Sequence, residues 1–235
     1  MRTVVSLALW LSALVAFLTL GGLYFLLAVV IQPKKIHGLA RLGCRGILLA
    51  AGIRVRLTGQ FPARTEGPYV YVFNHTSLLD TFVTIAVIPE YTSAIGKAEQ
   101  FRVPLWGWIL NRWGAIPIDR RQLSAAKNSL AIVEDALRGG ASLLISPEGT
   151  RSADGHLQPF KKGPFHVAVN ARAKIVPLII HGAFRLKNKT RWTLRPGIIS
   201  VDVAPPLSDH IGKTHTDALD ATQSVFKQRL RADER

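Results

Sequence analysis

Tyr69-Val70-Tyr71-Val72-Phe73 runs directly into Asn74-His75-Thr76-Ser77-Leu78-Leu79-Asp80. Five aromatic or β-branched residues in a row read as a buried strand, and the polar run after them reads as the turn at its carboxyl end. Catalytic groups often occupy such turns, because a sheet fixes them at its rim. His75 and Asp80 are five residues apart, so a continuous strand would point them to opposite faces. A turn leading into a helix can instead bring the carboxylate back to the imidazole. Asp80 would then accept from one ring nitrogen and leave the other to take a proton. Taken alone, this spacing is also that of a structural histidine.

The same alternation continues outward. Ala141–Ser146 and Lys174–Ile180 read as further buried strands, and Ile198–Val203 adds another before Pro205-Pro206. Ser124–Arg138 carries Ala125, Leu130, Val133 and Leu137 at near-helical spacing and stops at Gly139-Gly140, and Thr216–Leu230 reads as a terminal helix. Strands alternating with helices predict an α/β fold, a mixed sheet covered by helices. A second polar turn, Ser146-Pro147-Glu148-Gly149-Thr150-Arg151-Ser152, again follows a strand. Gly149 permits a tight turn, Thr150 and Ser152 bring hydroxyls, and Arg151 brings a planar fork suited to phosphate. Arg120 and Arg121, which end Gly114–Asp119, could join it in holding one anion, or these could be ordinary surface arginines.

The N-terminus is of another kind. Thr3–Ile31 holds 29 residues without a charge, roughly 43 Å as a helix against about 30 Å of hydrocarbon. A cleaved signal would be shorter in its apolar stretch and would show a small-residue cleavage site, so the expectation is a retained membrane helix. Ile36, Leu39, Gly43, Ile47 and Ala50 then share one face of a helix, with Arg41 and Arg45 a turn apart on the other. That pattern fits a basic amphipathic helix on anionic lipid, or a soluble helix packed on the domain. Residues 1–65 contain eight basic side chains (Arg2, Lys34, Lys35, Arg41, Arg45, Arg54, Arg56, Arg64) and no acidic one. Positive charge after the apolar run places the remainder of the chain on the cytoplasmic face, the inner membrane in a bacterium. The expected organisation is an N-terminal two-helix membrane anchor at 1–56 and a catalytic domain at 57–235.

Composition agrees. The 235 residues are 48% hydrophobic, which excludes disorder. Thirty Lys and Arg against 15 Asp and Glu give a formal charge of +15, favouring an anionic partner. A single cysteine, Cys44, excludes an internal disulfide and any multi-cysteine metal site.

Taken as an ordered set, these segments resemble the glycerolipid acyltransferase family typified by 1-acylglycerol-3-phosphate acyltransferases. Asn74-His75-x-x-x-x-Asp80 is similar to its first motif and Gly114-x-x-x-Ile118-Asp119-Arg120 to its second. Glu148-Gly149-Thr150-Arg151 is similar to the third and Val176-Pro177-Leu178 to the fourth. The likeness covers about residues 35–205; Ser146 departs from it, standing where many members carry Phe. It implies direct acyl transfer from an acyl carrier protein or coenzyme A thioester to the hydroxyl of a lysophosphatidic acid acceptor, with His75 as base and Asp80 supporting the imidazolium. It further implies that Arg120 and Arg151 hold the acceptor phosphate and that Glu148, Gly149 and Thr150 shape that pocket; the geometry of the turn, separately, offers backbone N–H groups near Gly149 to the oxyanion. Val176 and Pro177 would line the acyl-chain side, with Lys97 a further candidate for phosphate or donor. No metal or organic cofactor is implied. Lyso-ornithine lipid or glycerol 3-phosphate would be the alternative acceptors.

Other classes fit less well. There is no Gly-x-Ser-x-Gly elbow for a serine hydrolase. The charge has no nucleic-acid recognition motif beside it. A basic membrane-tethered binding protein would leave both polar turns without a task. His156, His166 and His181 are isolated in sequence and read as structural or solvated.

Overall fold

The structure, a computed structural model, describes residues 2–118, 123–208 and 214–232. The apolar run is one continuous helix: α1 (Arg2–Ala16) passes through a π turn at Phe17–Gly21 into α2 (Gly22–Val30). It is 29 residues long with a mean hydropathy of 2.4 in its most apolar window, long and apolar enough to cross a membrane. One stripe of it leans on the rest of the protein from end to end. The Leu194 N–H donates to Ser6 Oγ at 2.9 Å, Trp10 Nε1 to the Trp192 carbonyl at 2.8 Å, and Arg112 Nε to the Ala28 carbonyl at 2.7 Å. Between these points Phe17 meets the edge of Phe82.

The expected amphipathic helix forms as α3 (His37–Ala50), yet it is no free lipid-facing element. It packs between the first helix and α4 (Leu79–Val87), burying His37, Ala40, Ile47 and Leu48. Gly43 and Gly46 admit the first helix closely: a Cβ on Gly46 would lie 2.7 Å from Leu20 Cδ1. Missing side chains on α3 thus form a seat for the apolar helix.

Among the described residues, seven strands form one sheet in the order β1-β7-β6-β2-β5-β3-β4. These are β1 (Ile53–Gly59), β2 (Tyr69–Phe73), β3 (Thr92–Lys97), β4 (Ile116–Ile118), β5 (Ser142–Ile145), β6 (Lys174–His181) and β7 (Gly197–Val203). From β6 through β2, β5 and β3 to β4 neighbours are parallel; β7 is antiparallel to β6, and β1 follows β7. The strands expected from sequence are present. β1 alternates Ile-Arg-Val-Arg-Leu as an edge strand should, and the anchor boundary expected between residues 56 and 57 falls within it. The first element of the sheet therefore begins just after α3.

β2 is buried on both faces, which explains its uninterrupted apolar run. Tyr69, Tyr71 and Phe73 enter the core beneath α3 and α4, while Val70 and Val72 enter the opposite one. That opposite core is covered by α6 (Leu123–Arg138), α7 (Gly163–Asn170) and α9 (His215–Ala232), with α5 (Trp106–Arg112) and α8 (Ala183–Leu186) on the connections. Ala218, Thr222 and Phe226 recur at helical spacing on α9 and are fully or nearly fully buried against β6 and α7. The C-terminal helix, for which sequence offered no role, closes that core. Phe226→Ala should cost about 3–5 kcal/mol, read as a fall in the denaturation midpoint; a change below about 1 kcal/mol would mean that α9 is not part of the core.

Candidate functional site

The site begins where β2 ends. The Asn74 carboxamide grips the backbone of β6 on both sides: its Nδ2 donates to the Ile180 carbonyl at 2.9 Å, and the Ile180 N–H donates to its Oδ1 at 2.7 Å. Pinned at this point, the chain turns into α4. Asp80 lies in the first turn of α4, where backbone N–H groups and the helix dipole favour negative charge. Its Oδ2 accepts from the Thr76 and Ser77 N–H groups at 2.7 Å each, and stands 2.9 Å from His75 Nδ1. The turn thus does what a continuous strand could not, and returns the carboxylate to the ring. Asp80 is fully buried and its Oδ1 has no hydrogen-bond partner, whereas His75 is partly open. A buried charge left half-satisfied is costly, and a site is where such a cost is retained.

The second polar turn locks onto the first. The His75 N–H donates to Glu148 Oε1 at 2.7 Å, and the Ser152 N–H donates to the His75 carbonyl at 2.8 Å. Glu148 Oε2 accepts from the Gln158 N–H at 2.9 Å, so both oxygens of this buried carboxylate serve the backbone. Glu148 shapes the site from behind. Burial raises its pKa above the usual glutamate value, while the two N–H donors act in the opposite direction. Gly149 has φ +73°, a left-handed conformation that glycine adopts freely. Its N–H donates to the Ser146 carbonyl at 3.2 Å, inside the turn, so the expected oxyanion donor has a partner of its own here.

A cavity of about 400 Å³ opens in front of His75. Its floor comes from Phe73, Leu144 and Ile145 at the carboxyl ends of β2 and β5, and one wall from Trp106 and Leu110 of α5. Lys97, at the end of β3, and Gly149, Thr150 and Arg151 line it as expected. Sequence reading missed Lys189, which follows α8 and brings a third cation to the rim. Its only sequence signal is its place in the basic run Lys187-Asn-Lys189. Lys187 lies near Arg151; burial first and that neighbour second lower its pKa. Arg120 lies outside the described residues. Val176 and Pro177 are elsewhere: they pair with Tyr71 and Val72 in mid-sheet, buried and outside the cavity lining, because β6 runs on to His181 before reaching the rim. They support β2 from the adjacent strand.

A histidine–carboxylate pair thus stands at the carboxyl rim of parallel strands in an α/β protein and faces a cavity lined by cations. Residues 54–181 match the family model described as Acyltransferase, and the chain belongs to that family. It is 39% identical over 139 residues to 1-acyl-sn-glycerol-3-phosphate acyltransferase of Cocos nucifera, covering 59% of this chain and 45% of that one. With the alpha form of that enzyme from Homo sapiens it shares 32% over 197 residues, covering 80% and 69%. The chain spans about half the length of the plant relatives it matches, 45% and 56% in two of them. The crystal structure of the 1-acyl-sn-glycerophosphate (LPA) acyltransferase PlsC from Thermotoga maritima has the same fold, with a TM-score of 0.82 over 99% of this chain and 96% of that one at 21% identity.

The Glu148 bonds generate a test. The folded state holds the Glu148 proton to higher pH than the unfolded chain does, so this group's contribution to stability is present below the usual value of 4.5 and is lost as pH rises through the raised one. Glu148→Gln abolishes that slope and sets an NH₂ group against one of the two N–H donors. The expected cost near neutral pH is about 1–3 kcal/mol, measured by denaturant unfolding across pH. Unchanged stability and an unchanged slope would show that Glu148 does not hold the two turns together.

Proposed function

We propose that the protein transfers an acyl group from a thioester, on acyl carrier protein or coenzyme A, to the free hydroxyl of 1-acylglycerol 3-phosphate, giving phosphatidic acid. The observation that carries this reading is the contact between His75 Nδ1 and Asp80 Oδ2 in a cavity that also holds Arg151, Lys97 and Lys189. Because Asp80 accepts at Nδ1, the ring keeps its proton there and offers the Nε2 lone pair to a hydroxyl. As that oxygen attacks the thioester carbonyl carbon, Nε2 takes its proton and the imidazolium is stabilised by Asp80. Collapse of the tetrahedral intermediate breaks the carbon–sulfur bond, and the proton passes to the departing thiolate. The names of the relatives support this acceptor. So does the chemistry of the rim, since Arg151 can meet two phosphate oxygens at once.

Residues 2–50 act as the anchor in this reading. The first helix touches the rest of the protein at Ser6, Trp10, Phe17, Leu20 and Ala28, along its full length. A helix held that way cannot cross a bilayer without drawing polar surface in after it, which favours a position within one leaflet. Lys34, Lys35, Arg41 and Arg45 next to it favour the cytoplasmic face.

His75→Ala should lower kcat by about 100-fold or more while leaving lysolipid binding intact; near-normal turnover by the purified variant would overturn the mechanism. Arg151 tests the acceptor. Arg151→Lys keeps the charge and loses the fork, so it should raise KM for lysophosphatidic acid, and Arg151→Ala should raise it further. Neither should harm a phosphate-free acceptor such as monoacylglycerol or lyso-ornithine lipid to the same degree. Equal losses on every acceptor, or a wild-type preference for a phosphate-free one, would leave the acyltransferase reading standing and remove the phosphate-bearing acceptor.

A further inference from the structure

A second cavity, of about 610 Å³, lies between α3, β1 and the end of α4 and shares no lining residue with the one at His75. It reaches α4 through Ala86 and Val87, near the end of that helix opposite Asp80, and this places it roughly 10 Å along the axis from the catalytic pair at 1.5 Å per residue. Its floor is apolar: Leu48, Ile53, Val55 and Phe61. Three guanidinium groups stand on it, Arg41 and Arg45 one turn apart on α3 and Arg54 on β1, and no acidic side chain lines it. None of the three takes part in an ion pair among the described residues. Arg45 Nε donates to the Ala86 carbonyl at 3.1 Å, capping the last turn of α4 and holding the rest of its guanidinium in place. Arg41 Nε is buried with no hydrogen-bond partner. Burial, and then repulsion from Arg45, lowers the Arg41 pKa.

The surroundings identify the occupant. On a helix turning about 100° per residue, the Gly43–Gly46 face that seats Leu20 lies opposite the Arg41–Arg45 face. The groove is therefore one helix width, about 10 Å, from the apolar helix that associates with lipid. Leu49 and Leu57 border it and are 62% and 47% exposed, so apolar and cationic groups alternate at its mouth as they do on membrane-surface elements. An acidic protein would use the charges and leave the floor empty; an acyl chain with an anionic head uses both. A cavity of this size suits one chain of such a molecule.

We infer that this groove binds an anionic phospholipid of the membrane, its phosphate on Arg41, Arg45 and Arg54 and one acyl chain on the apolar floor. The site is separate from the cavity at His75 and rests on the anchor reading of residues 2–50, not on the acyl transfer proposed above.

The test uses full-length protein in neutral detergent micelles near physiological salt, with thermal unfolding followed as dioleoyl phosphatidylglycerol or dioleoyl phosphatidylcholine is added. Binding to the folded state raises Tm in proportion to affinity. Phosphatidylglycerol should raise Tm and phosphatidylcholine should not. Two variants at the rim, Arg54→Gln and Leu49→Glu, should each weaken the phosphatidylglycerol response at least tenfold, and both positions are exposed, so their lipid-free Tm should match the wild type. An equal rise with phosphatidylcholine, or an undiminished response in both variants, would overturn the proposal. So would protection by polyglutamate in place of phospholipid, which would assign the arginines to an acidic protein. Protection by oleate that phosphatidylglycerol cannot displace would assign the groove to a fatty-acid carboxylate.

Discussion

Both backbone polar groups of His75 are committed to a single neighbouring turn: its N–H to Glu148 and its carbonyl to the Ser152 N–H. The rest of the site depends on this pair of bonds. β2 and β5 are adjacent and parallel, so the turns leaving them emerge side by side at one rim. Two irregular segments in that position would each carry unpaired backbone groups, and here they satisfy one another. The imidazole is thereby fixed by its own main chain before any side-chain contact is counted. Asn74 adds a second tie, to β6, and Ser77 Oγ a third, to the Lys187 carbonyl. Both strands neighbouring β2, β6 directly and β5 through the turn that follows it, thus take part in holding the His75 turn.

Charge is arranged around that frame in two layers. Behind the ring, Asp80 and Glu148 are buried, and each accepts from two backbone N–H groups. In front, Lys97, Arg151 and Lys189 come from three different connections and meet at the cavity rim. Separation of this kind keeps the buried carboxylates from being neutralised by the cations and leaves Asp80 to the imidazole. Part of the formal charge of +15 thus gathers at this cavity, with the remainder spread over α3, β1 and the surface helices.

The N-terminal helix does more than present an apolar surface. Its contacts run from the 192–194 loop at one end to Arg112 of α5 at the other, and α5 supplies Trp106 to the cavity wall. Phe25 and Trp108 add a ring contact at 5.0 Å on the same side. The long apolar helix therefore also braces the wall of the cavity in front of His75. The glycine seat on α3 allows this, since any larger residue at Gly46 would displace Leu20.

The sequence alone determined the strands at 69–73, 141–146, 174–180 and 198–203, the helices at 124–138 and 216–230 and the apolar N-terminal segment, and it marked His75 and Asp80 as candidates for a pair. These are local signals: runs of β-branched and aromatic residues, helical periodicity, and a motif in which both partners sit within one turn. Only the tertiary structure decided the rest. Glu148 reads as a pocket residue along the chain, but its position 73 residues from His75 hides that its oxygens hold the His75 and Gln158 main chain. Val176 and Pro177 sit in a motif, yet strand register puts them below the rim. Lys189 joins the site because α8 folds its loop toward Arg151, and α3 turns its glycines, with no charge or hydropathy to announce them, toward the first helix. In each case the deciding quantity is a distance between residues far apart in sequence, fixed by sheet order and by which buried polar groups must find partners.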